Sequence, residues 1–102
     1  MDDDSIRMTE EIIYDLVDMS FEGEYLKIKK SFTEYVNGEE GDSFVFGFEQ
    51  VFLAMAGRGM VEMDDFYKFA IIMVTLFPEH ILPPPDAMKY NDEVKRIQRK
   101  YG

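Results

Sequence analysis

The pattern of apolar residues predicts an all-α protein: a compact bundle of four core helices plus a C-terminal amphipathic helix after a proline-rich spacer. Three observations carry this. Apolar side chains recur at three- and four-residue steps through most of the chain, with no pair of alternating runs that would make two strands. Helix-ending punctuation, Asn37-Gly38, Gly57-Arg58-Gly59 and Pro78, falls between the periodic stretches. An apolar content of 46% with 15% aromatics over 102 residues suits one folded core and is too small for two.

Residues 1–7 read as frayed, since only Ile6 among them has a side chain that packs well. Thr9 reads as an N-cap, with Glu10 and Glu11 in a first turn where the helix dipole favours acids. Met8 and Ile13 have the spacing of a hydrophobic staple. The first helix is expected over 9–22, with Ile12, Ile13, Leu16 and Val17 inward and Gly23 as its stop.

A second helix is expected over about 24–37, where Phe21, Tyr25, Leu26, Ile28, Phe32, Tyr35 and Val36 share a broad apolar face. Lys30 reaches Glu34 one turn on, and a polar loop follows over 39–42. Asp42 or Ser43 then caps a third helix with Phe44, Phe48, Val51, Phe52 and Met55 on one face. Phe44, Phe46 and Phe48 also alternate as in a strand, but nothing elsewhere pairs with them, which favours helix. Gly57 or Gly59 ends it, and the tight turn folds the chain back as a helical hairpin.

The fourth helix, about 63–77, has Asp64 and Asp65 at its start and Phe66, Phe69, Ala70, Met73, Val74 and Phe77 on its core face. Ile71, Ile72 and Leu76 make its other sides apolar too, which marks a central helix or an interface. Pro78 stops it. A last helix begins near Asp86 or Asn91, with Ala87, Tyr90, Val94, Ile97 and Tyr101 as its stripe. The organisation expected is an acidic helical core at 1–82, a polyproline spacer at 83–85 and a basic helix at 86–102, docked on the same domain.

Charge is the strongest hint of function. The net charge is −10, and residues 1–24 hold nine acids against the single base Arg7. Residues 95–102 carry Lys95, Arg96, Arg99 and Lys100 and no acid. Phosphate affinity is built from Lys and Arg, so direct nucleic-acid binding is not expected. If 9–22 is one helix, Glu11, Asp15, Asp18 and Glu22 form a single stripe on its outer face, at steps of four, three and four. Carboxylates repeated every ~6 Å could occupy a basic groove that otherwise holds a phosphate backbone. Tyr14 flanks the stripe as an apolar anchor. A solvated helix face is the plainer account of each acid taken singly.

Catalytic chemistry finds little support. There is no Cys, and His80 is the only histidine, so thiolate and multi-histidine sites are excluded. Ser5, Ser20 and Ser43 read as terminus or cap residues, and no serine has a base and orienting group in a plausible context. Phe48-Glu49-Gln50-Val51-Phe52, Gly57-Arg58-Gly59-Met60-Val61 and Asp65-Phe66 have a helix–loop–helix rhythm similar to that of an EF-hand. Ala56, Arg58 and Met60, however, stand where oxygen ligands are required. No metal, cofactor or enzymatic activity is expected.

The absence of Cys, of a basic leader and of any apolar run near the ~20 residues that span a bilayer suggests a soluble, cytoplasmic protein. The expectation is a non-catalytic acidic module, an inhibitor or adaptor that grips a basic protein surface, in the manner of a nucleic-acid mimic. Small acidic helical proteins of this type occur among mobile-element inhibitors, an analogy of type alone. The alternative is a self-assembling subunit in which the acidic first helix of one copy meets the basic last helix of the next. Met55, Met60 and Met63 add a weaker hint of an adaptable contact surface.

Overall fold

A helix that is apolar on every side is stable in water only when its neighbours cover it. Met63–Leu76 is that helix. In the computed structural model, which describes residues 3–36, 41–79 and 83–101, it is α4. Side chains at 3, 5, 31–36 and 41–45 lie outside the described set. Around α4 stand α1 (Asp3–Val17), α2 (Phe21–Val36), α3 (Gly41–Gly57), a 3₁₀ segment (Pro85–Tyr90) and α5 (Asn91–Tyr101). Every regular element among the described residues is helical, so the all-α class holds.

Helix α4 touches α2, α3, α5 and the 3₁₀ segment, while α1 packs on α2 and α3. Phe66, Phe69, Ala70, Ile71, Ile72 and Met73 are all buried, and this resolves the choice between central helix and interface. Phe48 stacks on Phe69 with centroids 4.7 Å apart, and Phe52 meets both Phe66 and Phe69. Tyr25, Ile28, Ile13 and Leu16 complete the core from α2 and α1. Val61 and Phe77 close it at the two ends of α4.

The first helix differs most from expectation. It begins at Asp3, not after a frayed 1–7. Thr9 is an interior, buried residue, and Met8 is 59% exposed, so neither the cap nor the staple forms. The helix also ends at Val17, and Gly23 does not stop it. The break is made by Ser20, whose hydroxyl accepts from Gly23 N–H at 3.1 Å while its carbonyl accepts from Glu24 N–H at 2.9 Å. That is an N-cap, so a new helix starts at Phe21. Gly23 sits in its first turn, where an added Cβ would stand 3.2 Å from the Ser20 hydroxyl. Leu26, expected on the apolar face, is exposed.

The stretch 44–48 is helical, which settles the strand ambiguity. Because α3 begins at Gly41, Asp42 and Ser43 are inside its first turn and do not cap it. At its other end Gly59 takes φ +74°, Met60 N–H donates to Met55 C=O and Gly59 N–H to Ala56 C=O. This double bond is a Schellman stop, which needs a residue free to be left-handed at that position.

The proline segment is less of a spacer than expected: Pro85 opens the 3₁₀ turn at its first position, where a missing N–H costs nothing. Ala87, Val94 and Ile97 are fully buried in the same core cluster as α4. The expected stop at Asn37-Gly38, residues 39 and 40 of the acidic loop, His80 and Ile81-Leu82 lie outside the described residues. So do the side chains of Phe32, Glu34, Tyr35, Val36 and Phe44.

Candidate functional site

The helix break at Ser20 divides the expected acidic stripe. Burial of Thr9, Ile13 and Leu16 fixes the inner side of α1, and Asp4, Arg7, Met8, Glu11, Tyr14 and Asp15 face solvent. Glu11 and Asp15 are one turn apart on this face. Asp18 is exposed in the turn that follows α1. Among the described residues none of Glu11, Asp15 and Asp18 has an ion-pair partner. Tyr14 is 39% exposed beside them.

Glu22 does not belong to that face. It lies in the first turn of α2, where Lys100 reaches it at 3.1 Å and the Tyr101 hydroxyl donates to the same oxygen. The Tyr101 hydrogen bond, then that of Lys100, holds the Glu22 carboxyl below its ordinary value. Lys29 adds a bond to the Tyr101 carbonyl at 3.0 Å. The end of α5 is thus clasped to the start of α2. Lys100 is engaged within the molecule, while Lys95, Arg96 and Arg99 are exposed on α5. Within the chain, the basic end of α5 meets Glu22 of α2.

A second ionic cluster surrounds Asp64, which helix-start electrostatics alone does not explain. Its carboxylate pairs with Lys89 at 2.7 Å and Lys68 at 3.7 Å, and accepts from the Tyr90 hydroxyl. Lys89, then Tyr90, holds the Asp64 carboxyl below its ordinary value. The Lys89 ammonium lies 5.5 Å from the Tyr67 ring centre and 5.2 Å from that of Tyr90, within cation–π range. Tyr90 also stacks on Phe21 at 5.8 Å. These contacts latch the 3₁₀ segment to α4 and α2.

Glu24 was missed by sequence reasoning. It is 4% exposed, and burial pushes its carboxyl from 4.5 up to about 8, against the pull of nearby Lys68. It is therefore mostly protonated at neutral pH. The signal was present: Phe21, Glu24, Tyr25 and Ile28 form an i, i+3, i+4, i+7 set, which places Glu24 on the buried face of α2. Beside it, the fully buried Tyr25 hydroxyl has no hydrogen-bond partner among the described residues.

No group of three or more His, Cys, Asp or Glu is placed to hold a metal among the described residues. No described helix is long and apolar enough to cross a membrane. Comparison with protein-family models, with curated proteins and with solved structures finds no match. The functional reading therefore rests on the chemistry of this surface alone.

Proposed function

We propose that this protein is a non-catalytic binding module, an inhibitor or adaptor, that engages a cationic protein surface through the outer face of α1. One observation carries the reading: the molecule uses Glu22 and Asp64 internally, yet Glu11, Asp15 and Asp18 stand exposed with no ion pair among the described residues. A partner with Lys or Arg at matching spacing gains from all three without breaking any internal contact.

The size of that gain limits the mechanism. An exposed ion pair contributes ~0–1 kcal/mol, so three of them give at most about a hundredfold in affinity. Their larger effect is on encounter rate, which long-range attraction raises at low salt. Residence on the partner needs apolar contact as well, and Tyr14 and Met8, both exposed beside the acids, supply it.

The test is affinity capture from the native host with two baits, wild type and a chain carrying Glu11→Lys, Asp15→Lys and Asp18→Lys. The reading predicts a partner recovered by the first and lost or strongly depleted with the second, with recovery falling as salt rises. Glu22→Gln serves as a comparison that loosens the clasp but leaves the α1 face intact, and it should capture normally. Equal recovery of the same partner by wild type and the triple variant would remove the acidic face from the mechanism.

A further inference from the structure

The start of α2 does three things within one turn. Phe21 stacks on Tyr90 at 5.8 Å, at the end of the 3₁₀ segment from which α5 springs. Glu22 holds Lys100 and the Tyr101 hydroxyl of α5. Glu24, 4% exposed, is the only charged side chain buried among the described residues. Its carboxyl has no hydrogen bond or ion pair among them. A single helical turn therefore joins an unpaired buried acid to the ties that seat α5.

We infer that this turn is a proton-operated joint: α5 stays seated while Glu24 keeps its proton and is released, ahead of the rest of the fold, when that proton leaves. A carboxylate cannot remain buried without a cation, hydrogen bonds or water. From α4, Lys68 attracts it and Asp65 repels it. Lys68 is already 3.7 Å from Asp64 and 5.7 Å from the Tyr90 ring centre. Lys89 of the 3₁₀ segment is taken by Asp64, and Lys100 of α5 by Glu22. Among the described residues no charge on α1 or α3 acts on Glu24. Tyr25 beside it, whose hydroxyl burial pushes above its usual 10, stays neutral. Water is what remains.

Water is within reach because Glu24 lies one turn from a helix end. The first N–H groups of a helix have no partner inside it. Here Ser20 supplies one, its side chain accepting from Gly23 and its carbonyl from Glu24. Unwinding that turn hydrates Glu24, and it draws Phe21 off Tyr90 and Glu22 off Lys100 and Tyr101. Of the described bonds from α2 to α5, the one from Lys29 to the Tyr101 carbonyl is left. The 3₁₀ segment does not follow, because Asp64 holds it to α4 through Lys89 and Tyr90. What swings free is a basic helix with Val94 and Ile97 uncovered.

The test is hydrogen exchange of backbone amides, read by NMR on the full chain from about pH 6 to 9 and corrected for the intrinsic rate. Amides of α5 should exchange through an opening smaller than global unfolding. The equilibrium constant of that opening should rise about tenfold per pH unit and level off above about 8, as for any opening that frees one buried acid. Amides of the 3₁₀ segment and of α4 should be better protected than those of α5 at every pH. Glu24→Gln should abolish the slope in α5. Glu22→Gln loosens the clasp without touching the buried acid, so it should raise the opening severalfold at every pH and keep the slope.

Protection of α5 that stays flat with pH would overturn the joint, because α5 would then open without hydrating Glu24. Equal protection of α5, α3 and α4 throughout would also overturn it, since the acid would then act only on the fold as a whole. The same slope in the Glu24→Gln chain would assign the titration to another group.

Discussion

Replacing Glu24 by Gln should stabilise the protein above neutral pH and do almost nothing in acid. Glu24 is buried, and its carboxyl loses its proton near 4.5 in the unfolded chain but only at about 8 in the fold. Between those values the folded state binds more protons than the unfolded one, so stability falls as pH rises. The cost is absent below 4.5 and complete above about 8. At ~1.4 kcal/mol for each pH unit of difference, the interval corresponds to about 3–5 kcal/mol. Gln has the shape of the protonated acid and no charge to desolvate, so the variant escapes this cost. Urea unfolding of both chains across the window gives the difference directly, and the contributions of other titrating groups cancel in it. A difference that stays flat with pH would show that Glu24 is not held protonated in the fold. So would a Gln variant less stable than wild type in base, because the carboxylate would then be a satisfied ion pair with Lys68.

Three further outcomes follow from the packing. Tyr25→Phe removes a buried hydroxyl that has no partner among the described residues, and should leave stability unchanged or raise it by about 1 kcal/mol; a clear loss in urea melts would show that the hydroxyl is bonded. Asp64→Asn should cost roughly 1 kcal/mol or less, because the carboxylate is 40% exposed. Since the Asp64 carboxyl is held below its ordinary value, that difference should be present at neutral pH and vanish as pH falls through the carboxylate range. Ile97→Ala should cost about 2–5 kcal/mol, lowering the midpoint of one cooperative transition, since Ile97 is fully buried in the common core; a loss near zero would mean that α5 is a dispensable appendage.

The helices of the core were legible because their apolar faces are long and regular. Phe66, Phe69, Ala70 and Met73 at helical spacing could be read directly, as could the stop at Gly57-Arg58-Gly59. The acidic stripe was misread for a physical reason. Carboxylates at steps of four and three look the same whether or not a cap interrupts the helix beneath them, and Ser20 was read as a cap without its consequence for Glu22. Gly23 after an amphipathic stretch has the signature of a C-terminal stop, yet in a first turn it leaves room for the Ser20 hydroxyl. The clasp of Glu22 with Lys100 and Tyr101, and the latch of Asp64 with Lys89 and Tyr90, join residues far apart in the chain. No local pattern reports such pairs. Charge asymmetry between the two ends indicated only that some contact of this kind was available.

Burial of Ala87, Val94 and Ile97 against helices formed much earlier in the chain has a consequence for biosynthesis. A nascent polypeptide that has emerged only as far as the prolines still presents the uncovered side of α4 to whatever is nearby. Native structure cannot close until α5 clears the ribosomal tunnel, so this protein matures after translation of that helix and not during it.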